Sequence, residues 1–307
     1  MIYTITLNPS LDRIIDVEEL IYDDVNKIAE ERRNAGGRGI DVSRVIKELG
    51  GQSIALGFIG GYDGSELEGR LVNEGIICDF TRINSETRTN NIVYQRKKKL
   101  QTLLSAYEPA VDPLEITSFF NKIKEIPRHS YVVISGNMPK GVNENFYAQM
   151  IITLKEKGTK VILDTDGEAL RRGVDAGPYL IKPNIHEFGR LVENNVSSVE
   201  EIINYAKPYQ NIVEYIVVSM GVRGVVGINR HEYYLATPPK IKVRSSMGAG
   251  DSLVAGIVYA MSEGWTFTDA ITMGVACGTA STLNPGKELC RREDVEIIKK
   301  DVIIKIF

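Results

Sequence analysis

The stretch RSSMGAGDSLVAGI, Arg244 to Ile257, sets Gly248, Ala249 and Gly250 directly before Asp251. Small residues bare the backbone N–H groups, and at a helix start such groups stabilise the negative charge that develops in phosphoryl transfer. The segment is not a P-loop, because the lysine of GxxxxGK[ST] is missing. Asp251 itself reads in two ways. It is either a general base beside that anion hole or the N-cap of a helix opening at Ser252, a role aspartate fills well. Local sequence alone favours the cap.

Three other segments carry chemistry-bearing residues. NAGGRGIDVSRVIKELG, Asn34 to Gly50, places Gly36, Gly37 and Gly39 before a helical pattern. Glycines there let a backbone approach a ligand or simply make a tight turn; Arg33 and Arg38 tilt the segment toward an anionic or hydroxyl-rich ligand. In LIKPNIHEFGRLV, Asn184 and Glu187 stand three apart where a loop meets a helix. Two oxygen ligands at that spacing suit a hydrated Mg²⁺ that also touches phosphates, and the same pair makes a capping box. ILDTDG carries Asp164 and Asp166, either a metal pair or strand-end turn residues, the second being the plainer account. His129, His186 and His231 are isolated, and RKKKL, Arg96 to Leu100, reads as a solvated strand face or hairpin tip.

These loops need elements to hold them. In 307 residues, 43% hydrophobic and 25% charged, short apolar runs alternate with helical patterns: SIALGFIGG then SELEGRLVNEG, YVVISG then NFYAQMIITLKEKG, KVILDTDG then EALRRGVDAG. That cadence predicts an α/β fold, a mainly parallel central sheet covered by helices on both faces. In such sheets ligands bind beyond the C-terminal ends of the strands. LNPSLD, ISGNMPKG, LDTDG, IKPN, SMG and SSMGAGD each follow an expected strand, the last of them PKIKV, so they gather at one edge. RIIDVEELIYDDVNKIAEERR and TRTNNIVYQRKKKLQTLLSA break the cadence with polar alternation, and are expected to pair as a small β-sheet lid. The expectation is one domain over 1–307 with lid strands at about 11–36 and 87–106.

A formal net charge of -3 gives no global reason to expect nucleic acid or an anionic membrane as partner. The N-terminus lacks the features of a signal peptide, and no segment has the roughly 18 apolar residues of a membrane span. Cys78, Cys277 and Cys290 are too scattered for a disulfide framework. A cytoplasmic protein is expected.

In order and together, TLNPSLD, AGGRGIDVSRV and SSMGAGDSLVAGI resemble the ribokinase/PfkB family of ATP-dependent sugar kinases, phosphofructokinase branch. The resemblance runs nearly the whole chain and implies a ribokinase-like three-layer sandwich. It also overturns the local preference for a cap. Asp251 is similar in position to the catalytic base, with Gly248, Ala249 and Gly250 as the anion hole. The resemblance implies that Asn184 and Glu187 organise Mg²⁺ through water, Lys182 approaches the phosphates, and Ser219, Gly221 and Gly224 bind the nucleotide. On the acceptor side it implies Asp12, Gly36, Gly37, Asp41, Asn90 and Asn137 as sugar-binding residues. Arg88 would clamp a substrate phosphate, with Lys27 from the lid as a weaker candidate; guanidinium suits phosphate bidentately. A homodimer through the lid is implied, and the stretch around Ser245, Asn284 and Gly286 resembles a potassium site found in part of the family.

The implied activity is transfer of the γ-phosphate of ATP to a ketohexose phosphate: fructose 6-phosphate, fructose 1-phosphate or tagatose 6-phosphate. Asp41 replaces the usual asparagine of the GGxGxNV pattern, Asn137 a serine and Glu108 a glycine, while Met247 stands where a β-branched residue is more frequent. Asp41 and Glu108 suggest the variant of a kinase for an unphosphorylated sugar, polyol or nucleoside. A non-catalytic sugar-responsive protein is a further alternative, against which the intact GAGD loop stands.

Overall fold

The alternating pattern becomes a three-layer α/β/α body with a smaller second sheet. The computed structural model describes residues 1–284 and 288–307. The chain begins β1 (Ile2–Thr6), β2 (Ser10–Val17), β3 (Glu30–Gly36), α1 (Arg38–Glu48), β4 (Ser53–Ile59) and α2 (Gly61–Asn73). Next come β5 (Ile77–Cys78), β6 (Thr81–Arg82), β7 (Arg88–Gln95), β8 (Leu100–Leu104) and α3 (Pro113–Glu125). The middle runs β9 (Tyr131–Ser135), α4 (Phe146–Lys155), β10 (Lys160–Asp164), α5 (Gly167–Asp175), β11 (Leu180–Ile181), α6 (Ile185–Leu191) and α7 (Val199–Ala206). The end is β12 (Tyr215–Ser219), β13 (Val225–Ile228), β14 (Tyr233–Thr237), α8 (Ala249–Ser262), α9 (Phe267–Ser281), α10 (Arg292–Lys299) and β15 (Ile303–Ile306).

The main sheet has the order β15-β14-β13-β12-β11-β10-β9-β1-β4-β5, with β6 beside β4. From β5 to β12 every neighbouring pair is parallel; β13, β14 and β15 extend the sheet antiparallel. Helical crossovers cover both faces of parallel strands, which explains why YVVIS and KVILD are apolar almost throughout. Alternate residues serve alternate layers. Val132 and Ile134 of β9 pack with Phe119, Tyr147 and Leu170 of α3 to α5, whereas Tyr131 and Val133 pack with Val42 of α1, Leu253 of α8 and Ala276 of α9. Because β1, β9, β10, β11 and β12 run the same way, the loops that follow them leave from one edge.

The second sheet, β3-β2-β7-β8, comprises 10–36 and 88–104. It joins the body through the short crossing from β1 to β2 and through the approach to β7. β2 and β7 pair in parallel from Ser10↔Arg88 to Val17↔Gln95, and every residue of β8 is exposed. One expectation fails: PKIKV, Pro239 to Val243, is not a strand. β14 ends at Thr237, and Pro238 and Pro239 have no N–H to give a ladder. An irregular segment instead runs to Arg244, whose N–H donates to the Thr282 carbonyl at 2.8 Å.

Candidate active site

A cleft of about 730 Å³ opens at the C-terminal edge of the sheet. Lys182, Asn184, Glu187, Ser219, Gly221 and Gly224 line it, as do Ala249, Gly250 and Asp251. Val222, Val225, Ile241 and Val243 add an apolar wall suited to a flat base. At its floor, α8 begins at Ala249 and not at Ser252. Gly248 is the N-cap, with a left-handed φ of +76°, and among the described residues no side-chain cap hydrogen bond is made there. Asp251 therefore lies within the first turn and does not cap it, contrary to the local reading. The first N–H groups of a helix have no intrahelical carbonyl; among the described residues that of Ala249 makes a long 3.4 Å contact with the Ser246 carbonyl.

Strand register supplies the cleft's charges. β9 and β10 pair Ser135 with Asp164, and Ser135 Oγ donates to Asp164 Oδ2 at 3.0 Å. β10 and β11 pair Leu163 with Ile181, so the next residues, Asp164 and Lys182, stand side by side. Lys182 Nζ lies 3.1 Å from Asp164 Oδ1, with the two side chains 5% and 2% exposed. Burial alone would lower the lysine's pKa, but the charges of Asp164, Glu187 and Asp251 override it and hold the group above its ordinary value. Arg38, at the start of α1, behaves alike: desolvation acts downward, yet Asp164, Asp251 and Glu187 keep its guanidinium raised. Arg38 lines both this cleft and a second cavity of about 340 Å³ that includes Asn137, Thr165 and Asp166.

Asn184 and Glu187 form the capping box of α6. Asn184 Oδ1 accepts from the N–H groups of His186 (2.9 Å) and Glu187 (3.0 Å), and Glu187 Oε2 accepts from the Asn184 N–H at 2.7 Å. Both still line the cleft, so the capping geometry and an oxygen-ligand role coexist. Among the described residues no group of three His, Cys, Asp or Glu side chains is poised to hold a metal. A largely hydrated ion that shares its ligands with phosphates does not require one, and the donors present, Asn184, Glu187 and Asp164, are the hard oxygens Mg²⁺ prefers.

The residues expected on the acceptor side lie where the second sheet joins the body, again ordered by register. β2 and β7 pair Asp12 with Asn90, and Asp12 Oδ1 accepts from Asn90 Nδ2 and Ser10 Oγ, both at 2.8 Å. A Cβ at Gly36 would lie 2.5 Å from Asp12 Oδ2, so a side chain there would displace that carboxylate. Gly37 adjoins it at the turn into α1. Arg88 Nη2 donates to the Asn8 carbonyl at 3.0 Å. Desolvation lowers the Arg88 pKa, partly countered by Asp12 and Glu108.

The unusual residues have partners. Asp41 is 1% exposed, and its Oδ1 accepts from Arg44 Nη1 at 3.2 Å. That guanidinium also donates to the Ala35 carbonyl and makes a two-point pair with Glu74. Asn137 Nδ2 donates to Glu108 Oε1 at 2.9 Å, so these two departures meet each other. Met247 is exposed. Lys27 stands exposed between β2 and β3 and lines neither cavity. Asn284 is buried and its Nδ2 donates to the Leu289 carbonyl; Ser245 is half-buried, and Gly286 lies outside the described residues.

Two residues were not singled out by sequence for the roles their positions suggest. Arg38 carried a signal, lying inside the glycine turn. Asp164 was left between metal and turn, because its lysine partner is 18 positions away and only the sheet register joins them.

The pfkB family carbohydrate kinase model matches residues 5–294. The 1-phosphofructokinase of Borreliella burgdorferi is 37% identical over 298 residues, 96% of this chain and 95% of that one. The 1-phosphofructokinase of Bacillus subtilis is 32% identical over 303 residues, 98% of each chain. Phosphofructokinase-2 from Escherichia coli, solved in complex with potassium, is 30% identical with a TM-score of 0.93 over 98% of both chains. The same enzyme has a solved tetrameric inhibited form, with a TM-score of 0.91, 29% identity and 98% coverage of both chains.

Proposed function

The chain belongs to the pfkB family of carbohydrate kinases, and from that premise we propose that Asp251 is the general base for ATP-dependent phosphorylation of a ketohexose phosphate, with fructose 1-phosphate as first substrate. As a phosphotransferase with an alcohol acceptor, the enzyme must remove a proton from a hydroxyl while that oxygen attacks the γ-phosphorus. Asp251 accepts the proton, the bond from the γ-phosphorus to the β,γ-bridging oxygen breaks, and ADP leaves. The N–H groups from Gly248 to Gly250 meet the charge on the transferring group. Lys182 balances phosphate charge from the floor, and Arg38 spans the nucleotide cleft and its neighbour. Mg²⁺, when bound, neutralises phosphate charge; Asn184, Glu187 and Asp164 are the residues that would hold it, directly or through water.

One observation carries the assignment: Asp251 stands in the first turn of α8, inside the cleft, at a helix start whose N-cap is a glycine. The ion pair of Asp41 with Arg44 supports a phosphosugar, since that carboxylate is not left as an isolated charge against a substrate phosphate. Coupled ADP release with fructose 1-phosphate, fructose 6-phosphate, tagatose 6-phosphate and fructose tests the substrate. Asp251→Asn is expected to keep ATP binding and lose about 10²–10⁴-fold in turnover. Near-normal turnover of that variant would remove Asp251 from the chemistry.

Association through the lid belongs to the same reading. It is supported by Leu100, Leu103 and Leu104, apolar and exposed on β8. Ser245 and Asn284 offer oxygen ligands for potassium, which accompanies the related Escherichia coli enzyme. Among the described residues no helix is long and apolar enough to cross a membrane. The three free cysteines suit a reducing compartment such as the cytoplasm.

A further inference from the structure

Asn8 lies in the crossing from β1 to β2, where the chain passes from the body into the lid. It is 2% exposed, yet among the described residues neither Oδ1 nor Nδ2 has a hydrogen-bond partner. An asparagine amide brings two donors and an acceptor with two lone pairs. Leaving all of them unmet in the interior is costly, and such groups persist where something else supplies the partner.

The neighbouring lid crossing shows the same deficit. Arg88 opens β7 opposite Ser10, and its Nη2 is fixed on the Asn8 carbonyl at 3.0 Å. Its Nε is buried with no partner among the described residues. One guanidinium edge is thus anchored to the backbone of the residue whose side chain is itself unsatisfied. Asp12, two residues into β2, has its Oδ1 bound by Ser10 and Asn90 in the same strand pair. The unmet donors therefore gather where the two crossings meet.

Resting on the kinase reading above, we infer that Asn8 is a substrate-recognition residue: its Nδ2 and Arg88 Nε together take the phosphate of the acceptor sugar phosphate. A phosphate monoester at neutral pH presents oxygens that accept and carries charge, which matches an amide donor beside a guanidinium. A sugar hydroxyl would satisfy the amide but bring no charge to a buried guanidinium edge that Asp12 and Glu108 balance only in part. Both groups are closed to solvent in this conformation, so the phosphate reaches them as the lid base opens and settles on it.

The test compares Asn8→Ala and Asn8→Ser with the parent enzyme and with Arg88→Ala. Thermal unfolding is followed with and without inorganic phosphate, and KM is measured for fructose 1-phosphate and for ATP. The amide contributes nothing to the free protein, so both Asn8 variants should melt no lower than the parent without ligand. They should lose most of the phosphate-induced shift and raise the fructose 1-phosphate KM by about tenfold or more, with Asn8→Ser the milder. The KM for ATP should stay unchanged. A fall in the ligand-free melting point, failure to fold, or an unaltered sugar-phosphate KM would each overturn the assignment and make Asn8 a structural residue. If the parent turns over none of the ketohexose phosphates, the kinase reading fails by itself. The phosphate shift in parent, Asn8→Ala and Arg88→Ala still decides whether the subsite exists.

Discussion

Replacing Lys182 by methionine tests whether the charge at the cleft floor is one unit with Asp164. The two groups are 3.1 Å apart and nearly sealed from water, and Ser135 Oγ donates to the other oxygen of the carboxylate. Breaking such a pair leaves a buried charge uncompensated, which costs about 3–5 kcal/mol. Two unit charges about 4 Å apart interact by roughly 4 kcal/mol at an effective dielectric of about 20, which agrees in scale. Urea unfolding of Lys182→Met should therefore show a loss near 3 kcal/mol, and Lys182→Met with Asp164→Asn should recover most of it. Methionine cannot meet a phosphate, so the KM for ATP should rise in both. The sign of the pH dependence is fixed by a raised lysine pKa: its contribution is complete below the unfolded value of about 10.4 and is lost only as pH rises through the higher folded value. The difference between parent and variant should thus be flat from about pH 6 to about pH 10. A stability loss under about 1 kcal/mol, or a double variant as unstable as the single, would refute the buried pair.

Asn184→Ala removes an acceptor used by two N–H groups of α6, so about 1 kcal/mol should be lost in urea unfolding. The Mg²⁺ concentration for half-maximal turnover should also rise, and a change in stability alone would leave Asn184 only a cap. Leu103→Lys with Leu104→Lys places one charge on each face of the exposed strand β8 and should shift the sedimenting species to monomer with unchanged circular dichroism. A parent that is already monomeric, or a variant that still associates, would rule out pairing through the lid.

How much of this was legible in the sequence depended on the range of the interaction. The central strands announce themselves because burial on both faces demands apolar residues at every position, as in YVVIS and KVILD. The second sheet was recognisable by its polar alternation. PKIKV alternates too, yet Pro238 and Pro239 block the ladder, and turn chemistry outweighs the periodicity. The boundary of α8 moved by three residues because Gly248 adopts a left-handed φ, which many glycines can do and the sequence does not require. That small shift decides whether Asp251 is a cap or a side chain inside the first turn.

The unusual residues were visible one at a time, while their meaning was not. Asp41 in place of an amide predicts repulsion of a phosphosugar only if the carboxylate is alone. Arg44, one turn along α1, is in reach by helical spacing, but its two-point pair with Glu74 at the C-terminal end of α2 is not a local feature. Asn137 and Glu108 are likewise 29 residues apart and meet because the loop after β9 returns to the lid base. Asp41 brings a cation that balances it, whereas Glu108 brings an amide that orients but does not neutralise it. A substitution from a family pattern therefore argues for a new substrate only after its charge has been followed to the neighbour that balances it.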